Sequence, residues 1–211
     1  MVERTLWQQL RYSLYLVFHP FDGFWDLKHE KRGSKKAAIV IIVLLIITQT
    51  LSARFTGFLY RSYNDDGVSM NILGDIFTVG GTFMLWCIAN WSLTTLMDGE
   101  GTFGDIFMVS AYALVPLILF GIPLAFLSNA MTIELSQFYS LLNTIAVIWS
   151  GFLMLSGLLV VHQYSLTKTV WTAVFILVAM AFIIFLGLLF FNMIGQLIGF
   201  ITSLYWEIVL R

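Results

Sequence analysis

The chain has 211 residues, of which 59% are AVILMFWYC and only 11% are charged; an average soluble domain is about 45–50% apolar and about 25% charged, so a soluble globular domain is excluded. Eleven Lys+Arg against twelve Asp+Glu leave a formal net charge of -1, which excludes a basic nucleic-acid binder. The single cysteine, Cys87, lies in an apolar run and rules out an internal disulfide and a Cys-built zinc or iron–sulfur centre.

Residues 1–36 form a basic, amphipathic N-terminal segment. Trp7, Leu10, Leu14 and Phe18 recur at helical spacing, with Gln8, Arg11 and Ser13 elsewhere and Tyr12 and Tyr15 as amphipathic bodies, the pattern of a helix lying on a membrane. His19-Pro20 ends that helix, because the residue before proline is biased away from the α region, and Phe21 to Trp25 can begin a second short one. The run KHEKRGSKK then supplies Lys28, Lys31, Arg32, Lys35 and Lys36, each worth about 1 kcal/mol against an anionic lipid surface. Its simplest use is as a topology signal; specific lipid recognition is the alternative. No small-residue cleavage site follows the first apolar run, so that run reads as a retained span.

Five segments approach the roughly 20 apolar helical residues that cross a hydrocarbon core of about 30 Å: residues 37–60, 72–96, 106–127, 141–161 and 170–191. Their backbone groups must be paired within the segment, and none alternates as a barrel strand would. The predicted fold class is therefore all-α, a polytopic membrane helical bundle occupying 37–211. Arg4, Arg11, the five basic residues of 28–36 and Lys168 fall on one side, against Arg54, Arg61 beside Asp65 and Asp66, and Arg211 on the other. Basic residues mark the cytoplasmic side, so the N-terminus is expected inside and the C-terminus outside, although the acidic loop DGEGTFGD weakens the contrast.

From Val170 to Arg211 there are 42 residues, about 63 Å of helix, twice the need of one span. A break at Asn192, Gly195 and Gln196 is expected, followed by an interfacial helix over 193–211 with Leu197, Ile201, Leu204 and Ile208 on one face and Gln196, Ser203, Glu207 and Arg211 on the other. The rival reading is a sixth span returning the C-terminus inside.

Within or near the spans, Asp75, Asn90 and His162 are the candidate intramembrane polar site, since an ionisable group at that depth costs about 2.5–3.5 kcal/mol. For Asp75 and Asp105 a boundary or helix-capping role competes with a proton or ion site; for His162, beside Gln163, an interfacial hydrogen bond competes with proton relay. Gln49, Asn90, Asn129, Asn143, Asn192 and Gln196 read as interhelical glue, and Gly80-Gly81, Gly151, Gly157 and the Gly195-x-x-x-Gly199 pair as close-approach sites. No phosphate-binding, zinc-protease or nucleophile-elbow motif occurs and the histidines His19, His29 and His162 are scattered, so no enzyme, cofactor or metal is expected. No matched pair of interrupted spans and no internal repeat speaks for a carrier.

Two stretches carry a family likeness: LYLVFHPFDGFWDLKHEKRGSKKA (Leu14 to Ala37), followed by the first span, and GTFGDIFMVSAYALVPLILFGIP (Gly101 to Pro123). Together they resemble the Yip family, the Rab/Ypt-interacting multi-pass membrane proteins, and most closely its prokaryotic branch. That resemblance implies five spans, a cytoplasmic N-terminus in a prokaryotic cytoplasmic membrane, no catalytic residues and a role exercised through partners. Eukaryotic members are adaptors of Golgi and ER traffic with a longer N-terminal region, so Rab binding is not carried over. The expected role is an accessory or scaffold subunit of a membrane complex, with the permease of an ABC-type sugar importer the favoured partner and self-association or membrane lipids next. Small-molecule, ion or lipid transport and a lipid-organising or trafficking adaptor are the alternatives. Contacts are expected at Trp7, Trp25, Lys28, Lys31, Arg32, Lys35, Lys36, Tyr112, Pro116, Gly195 and Gly199, and Pro116 and Pro123 also read as simple kinks.

Overall fold

Apolar stretches longer than a bilayer is thick dominate the architecture. A computed structural model describes residues 5–57 and 72–210, which are helical with short connections and no strand among them. Five helical stretches are long and apolar enough to cross a membrane: Lys35–Phe55, Ile72–Leu96, Phe103–Leu127, Ser136–His162 and Leu166–Val209. Arg4, Arg61, Asp65, Asp66, Arg211 and the expected end of the first span at Tyr60 lie outside the described residues.

Two short helices precede the spans, α1 (Leu6–Phe18) and α2 (Pro20–His29). The turn between them is His19, and Pro20 opens α2, where its missing N–H leaves no bond unmade. The first span is α3 (Lys35–Phe55), capped by Ser34 Oγ, which accepts from the Ala37 N–H at 3.1 Å. The second begins as α4 (Ile72–Asp75), passes through a π-helical stretch at Ile76–Gly80 and continues as α5 (Gly81–Leu96). The third is divided into α6 (Phe103–Ala113) and α7 (Val115–Leu127). Pro116 offers no N–H to the turn before it; the Leu114 N–H turns to the Ala111 carbonyl at 3.2 Å and the helix restarts. Pro123, by contrast, sits within α7. A short 3₁₀ turn (Ile133–Leu135) leads into α8 (Ser136–His162), and α9 (Leu166–Val209) follows after Gln163 takes a left-handed conformation, φ 53°.

α8 packs against α2, α6 and α7; α3 lies on α6 and α7, and α5 carries α9. The main core joins Leu16, Phe24 and Leu27 of the N-terminal helices to Ala38, Ile41, Tyr112, Leu153 and Val161 of the spans. A smaller cluster of Ala89, Leu158 and Ile176 ties α5, α8 and α9. The N-terminal ends of α3, α6 and α9 and the C-terminal ends of α5 and α8 lie at one end of the bundle. Lys28, Lys35 and Lys168 are also there, and we refer to it as the basic end.

The structure divides the faces of α1: of the apolar stripe read from the sequence, Trp7, Leu14 and Phe18 stay exposed and Leu10 alone joins the core. The buried face of α1 is Tyr12, Ser13, Leu16 and Val17, whereas Trp7 and Phe18 are each 75% exposed and Leu10 is turned to the core. α1 and α2 form a hairpin, with the Tyr12 hydroxyl donating to the Gly23 carbonyl at 3.0 Å and to Asp26 at 3.3 Å. The hairpin docks along α8. The Trp149 indole N–H donates to the Val17 carbonyl at 3.1 Å, Phe21 meets Phe152 edge-on, and Lys28 donates to the Val161 carbonyl at 2.8 Å. Helical periodicity marks an apolar stripe but not whether protein or lipid covers it; here α1 has both kinds of face.

Burial first, and then the charge of Asp26, pushes the Tyr12 phenol above its ordinary range. A raised folded-state pKa means the stabilisation from these two bonds is complete below the ordinary tyrosine value of about 10 and is lost only as pH rises through the raised one. Docking of the hairpin is therefore expected to be constant from pH 6 to pH 9, as read by tryptophan fluorescence; a transition inside that window would contradict the assignment.

The break expected at Asn192, Gly195 and Gln196 does not form, and among the described residues the interfacial helix expected over 193–211 is not a separate element but the end of α9. α9 is one helix of 44 residues, about 66 Å long. Gln196 Nε2 donates to Asn192 Oδ1 at 2.9 Å across one turn, so both amides find a partner without opening the backbone. Each interior glycine costs only about 1 kcal/mol relative to alanine, too little to interrupt a run so rich in Leu, Ile and Phe.

Candidate functional site

Polar side chains converge under the loop joining α5 to α6, at the basic end. The Tyr164 hydroxyl and Lys168 Nζ both donate to the Met97 carbonyl, at 3.0 and 2.9 Å, and Lys168 lies 4.1 Å from the centre of the Tyr164 ring. The Gly101 N–H donates to His162 Nδ1 at 3.3 Å, and the imidazole stacks on Tyr164 with ring centres 5.4 Å apart. Lys28 donates to the Val161 carbonyl in the last turn of α8 and lies 3.7 Å from Glu100, where a cation complements the helix dipole. The loop comes this close because it has no side chain in the way: a Cβ on Gly101 would lie 2.4 Å from Val161 Cγ1, and one on Gly99 2.5 Å from His162 Nδ1. Thr102 and Asp105 close the start of α6 as a reciprocal capping box.

Below the loop is a cavity of about 10 Å³ lined by Trp86, Asn90, Ser110, Met154, Gly157 and His162, among others. Asn90 is 3% and His162 2% exposed. The Trp86 indole N–H donates to Ser110 Oγ at 3.1 Å, whereas Asn90 Oδ1 and His162 Nε2 have no protein partner. Asn90 and His162 thus share one site, as two of the three residues proposed for it. Asp75 does not: it accepts from Thr50 Oγ1 at 2.8 Å and ties α4 to α3 away from this cavity.

The structure sorts the expected contact residues. Trp7 remains exposed, as does Trp25 at 51% while stacking on His29; Lys31, Lys35 and Lys36 are exposed around the start of α3. Lys28 is not available to a lipid or a partner, since it is engaged with α8 and Glu100. Arg32 is held by Asp26 at 3.1 Å and Glu30 at 2.6 Å, with its guanidinium over Tyr12. Tyr112 and Pro116 are buried in the core, where the Tyr112 hydroxyl reaches the Gln9 carbonyl at 3.4 Å, so neither is a contact surface. Among the described residues nothing approaches the Cβ positions of Gly80, Gly81, Gly151, Gly195 or Gly199 within 4 Å; of the glycines read as close-approach sites, Gly157 is the one that acts so among them. Among the glue residues, Asn129 bonds the Phe55 and Ala125 carbonyls and joins α7 to the end of α3.

Sequence reading passed over Trp86, Ser110, Tyr164, Lys168 and the two loop glycines. One signal for them was present: Trp86 and Asn90 are four residues apart, on one helix face, and Gly99 and Gly101 flank Glu100. Replacing Lys28 with methionine is expected to lower stability by about 1 kcal/mol, because the α8 carbonyls and Glu100 lose a cation while the aliphatic stem is kept. Thermal unfolding in mild detergent checks this, with Lys31→Met, an exposed lysine, as the unchanged control.

Five apolar helices around a mostly apolar core, with a helical hairpin docked along α8, define a polytopic helical membrane protein. The family model for the Yip1 domain matches residues 14–189, from within α1 to the middle of α9, and the chain belongs to the Yip1 domain family. No curated protein and no solved structure matches the chain.

Proposed function

We propose that this Yip1-domain protein is a non-enzymatic accessory or scaffold subunit of a membrane protein complex, and that α9 is its partner-binding element. The observation that carries this is the contrast within α9. It holds the most apolar 18-residue window of the chain, mean hydropathy 3.1, and only 6% of that window is buried. Thr169, Thr172 and Ile176 seat its first turns on the bundle, and no later residue of α9 is buried. A helix about twice as long as a bilayer core is thick leaves much of its length to be covered by something else. The family match ends at residue 189, so the last part of α9 lies beyond the matched domain.

In this reading the partner is another integral membrane protein. The family resemblance favours the permease of an ABC-type sugar importer, with a second copy of the chain next. The membrane is read as a prokaryotic cytoplasmic membrane with the basic end inside, supported by Arg11, Lys28, Lys31, Arg32, Lys35, Lys36 and Lys168 at that end against Arg54 at the other. Reporter fusions at Tyr164 and at Ala130 are expected to give cytoplasmic and external signals respectively; the reverse would invert the topology.

The test of function is photo-crosslinking in cells from probes at Leu197 and Phe200, followed by gentle purification. Transfer to a permease supports the reading, transfer to the same chain replaces the partner with a second copy, and labelling of lipid alone overturns it. Tyr112 and Pro116 are buried, so surface variants belong at Trp7 and Trp25. A carrier reading is less well supported, because Asp75 and Asp105 are engaged by Thr50 and Thr102 and the Asn90–His162 cavity has room for little more than one water.

A further inference from the structure

We propose that the cavity between α5, α6 and α8 is a binding site for a single water molecule, which accepts the Nε2–H of His162 and donates to Oδ1 of Asn90. Three observations carry this independently of the partner assigned above. Both polar atoms are buried without a protein partner, and both residues line the same cavity; orphaned buried polar atoms cost about 1–3 kcal/mol each. The cavity volume, about 10 Å³, is at the size that about one water needs.

The Gly101 N–H decides the chemistry of the ligand. It donates to His162 Nδ1, so Nδ1 is the acceptor, and in the neutral ring the proton must then be on Nε2. Of the unpartnered atoms at the cavity wall, one is therefore a donor, His162 Nε2–H, and one an acceptor, Asn90 Oδ1. A cation would face the N–H and an anion would face the amide oxygen; a water satisfies both. Ser110 Oγ, which keeps a lone pair after accepting from Trp86, lies on the same wall and can take the water's second hydrogen, giving the roughly three bonds usual for a buried water. The consequence is structural: α5 and α8 are joined through the water directly below the loop that Gly101 pins from above. His162 is thereby fixed in one tautomer between a backbone amide and a solvent molecule.

The test uses the full chain, with nitrogen-15 in its histidines, in phosphatidylcholine/phosphatidylglycerol nanodiscs at neutral pH. Proton-detected NMR, with His162→Gln identifying the resonance among the three histidines, is expected to show an unprotonated Nδ1, a protonated Nε2 and a cross-peak from its hydrogen to a long-lived water. Protonation at Nδ1, or a protonated Nε2 with no water contact, overturns the proposal. Asn90→Leu fills the cavity and removes the acceptor, so the water cross-peak should disappear; its persistence in this variant would also overturn the proposal. The tautomer and the cross-peak are read in the unaltered protein, and the test stands even if Asn90→Leu fails to fold.

Discussion

Replacing Gly157 with leucine is expected to destabilise the bundle by about 3 kcal/mol, near the top of the usual range for overpacking. The cause is local. A Cβ at this position would lie 2.3 Å from Val109 Cγ1 and 3.4 Å from the ring of Phe24, so α6 must move away from α8 and the α2 anchor must shift with it. Gly151, less than two turns earlier on the same helix, has nothing within 4 Å of its Cβ position. Gly151→Leu is therefore expected to be neutral, or slightly stabilising because a glycine inside a helix costs about 1 kcal/mol relative to a good helix former. The check is the apparent melting temperature of both variants in the same mild detergent. Equal values would show that the α6–α8 separation is not set at Gly157.

Phe24→Ala is expected to cost about 3–5 kcal/mol of local stability and to release the α1–α2 hairpin from α8. Phe24 is fully buried in the main core and is the side chain of α2 that reaches Gly157. The basic run from Lys28 to Lys36 gives trypsin its sites, and two of them, Lys28 and Arg32, are shielded or paired in the docked hairpin. Cleavage there should accelerate by roughly two to three orders of magnitude in Phe24→Ala, in line with about 1.4 kcal/mol per tenfold change in the opened population. Trp25→Ala, one residue on but half exposed, should digest at the rate of the unaltered protein. If both variants digest alike, the hairpin is held by something other than this core contact.

The two pairs of neighbours, Gly151 with Gly157 and Phe24 with Trp25, show where the sequence stops being sufficient. Composition and length alone determine that the chain belongs in a membrane, because about 20 apolar residues match one bilayer thickness and backbone groups in lipid force each such run into a helix. The five helices, the turn at His19-Pro20 and the capping role of Asp105 follow from this local chemistry, with no knowledge of neighbours. What covers each apolar face is a separate matter. Inside a membrane, lipid and protein interior are about equally apolar, so burying Leu or Phe against either leaves nearly the same pattern in the sequence. Tertiary structure therefore decided that Leu16 and Phe24 are core while Trp7 and Phe18 are surface. It also decided that Tyr112 and Pro116 are interior. The continuity of α9 through Asn192 and Gln196 is by contrast local, since the two amides, one turn apart on the same helix, bond each other. The sequence grouped Asp75, Asn90 and His162 by chemistry alone; that Asn90 and His162, 72 residues apart, share one cavity while Asp75 does not was decided by the packing of α5 and α8 about α6.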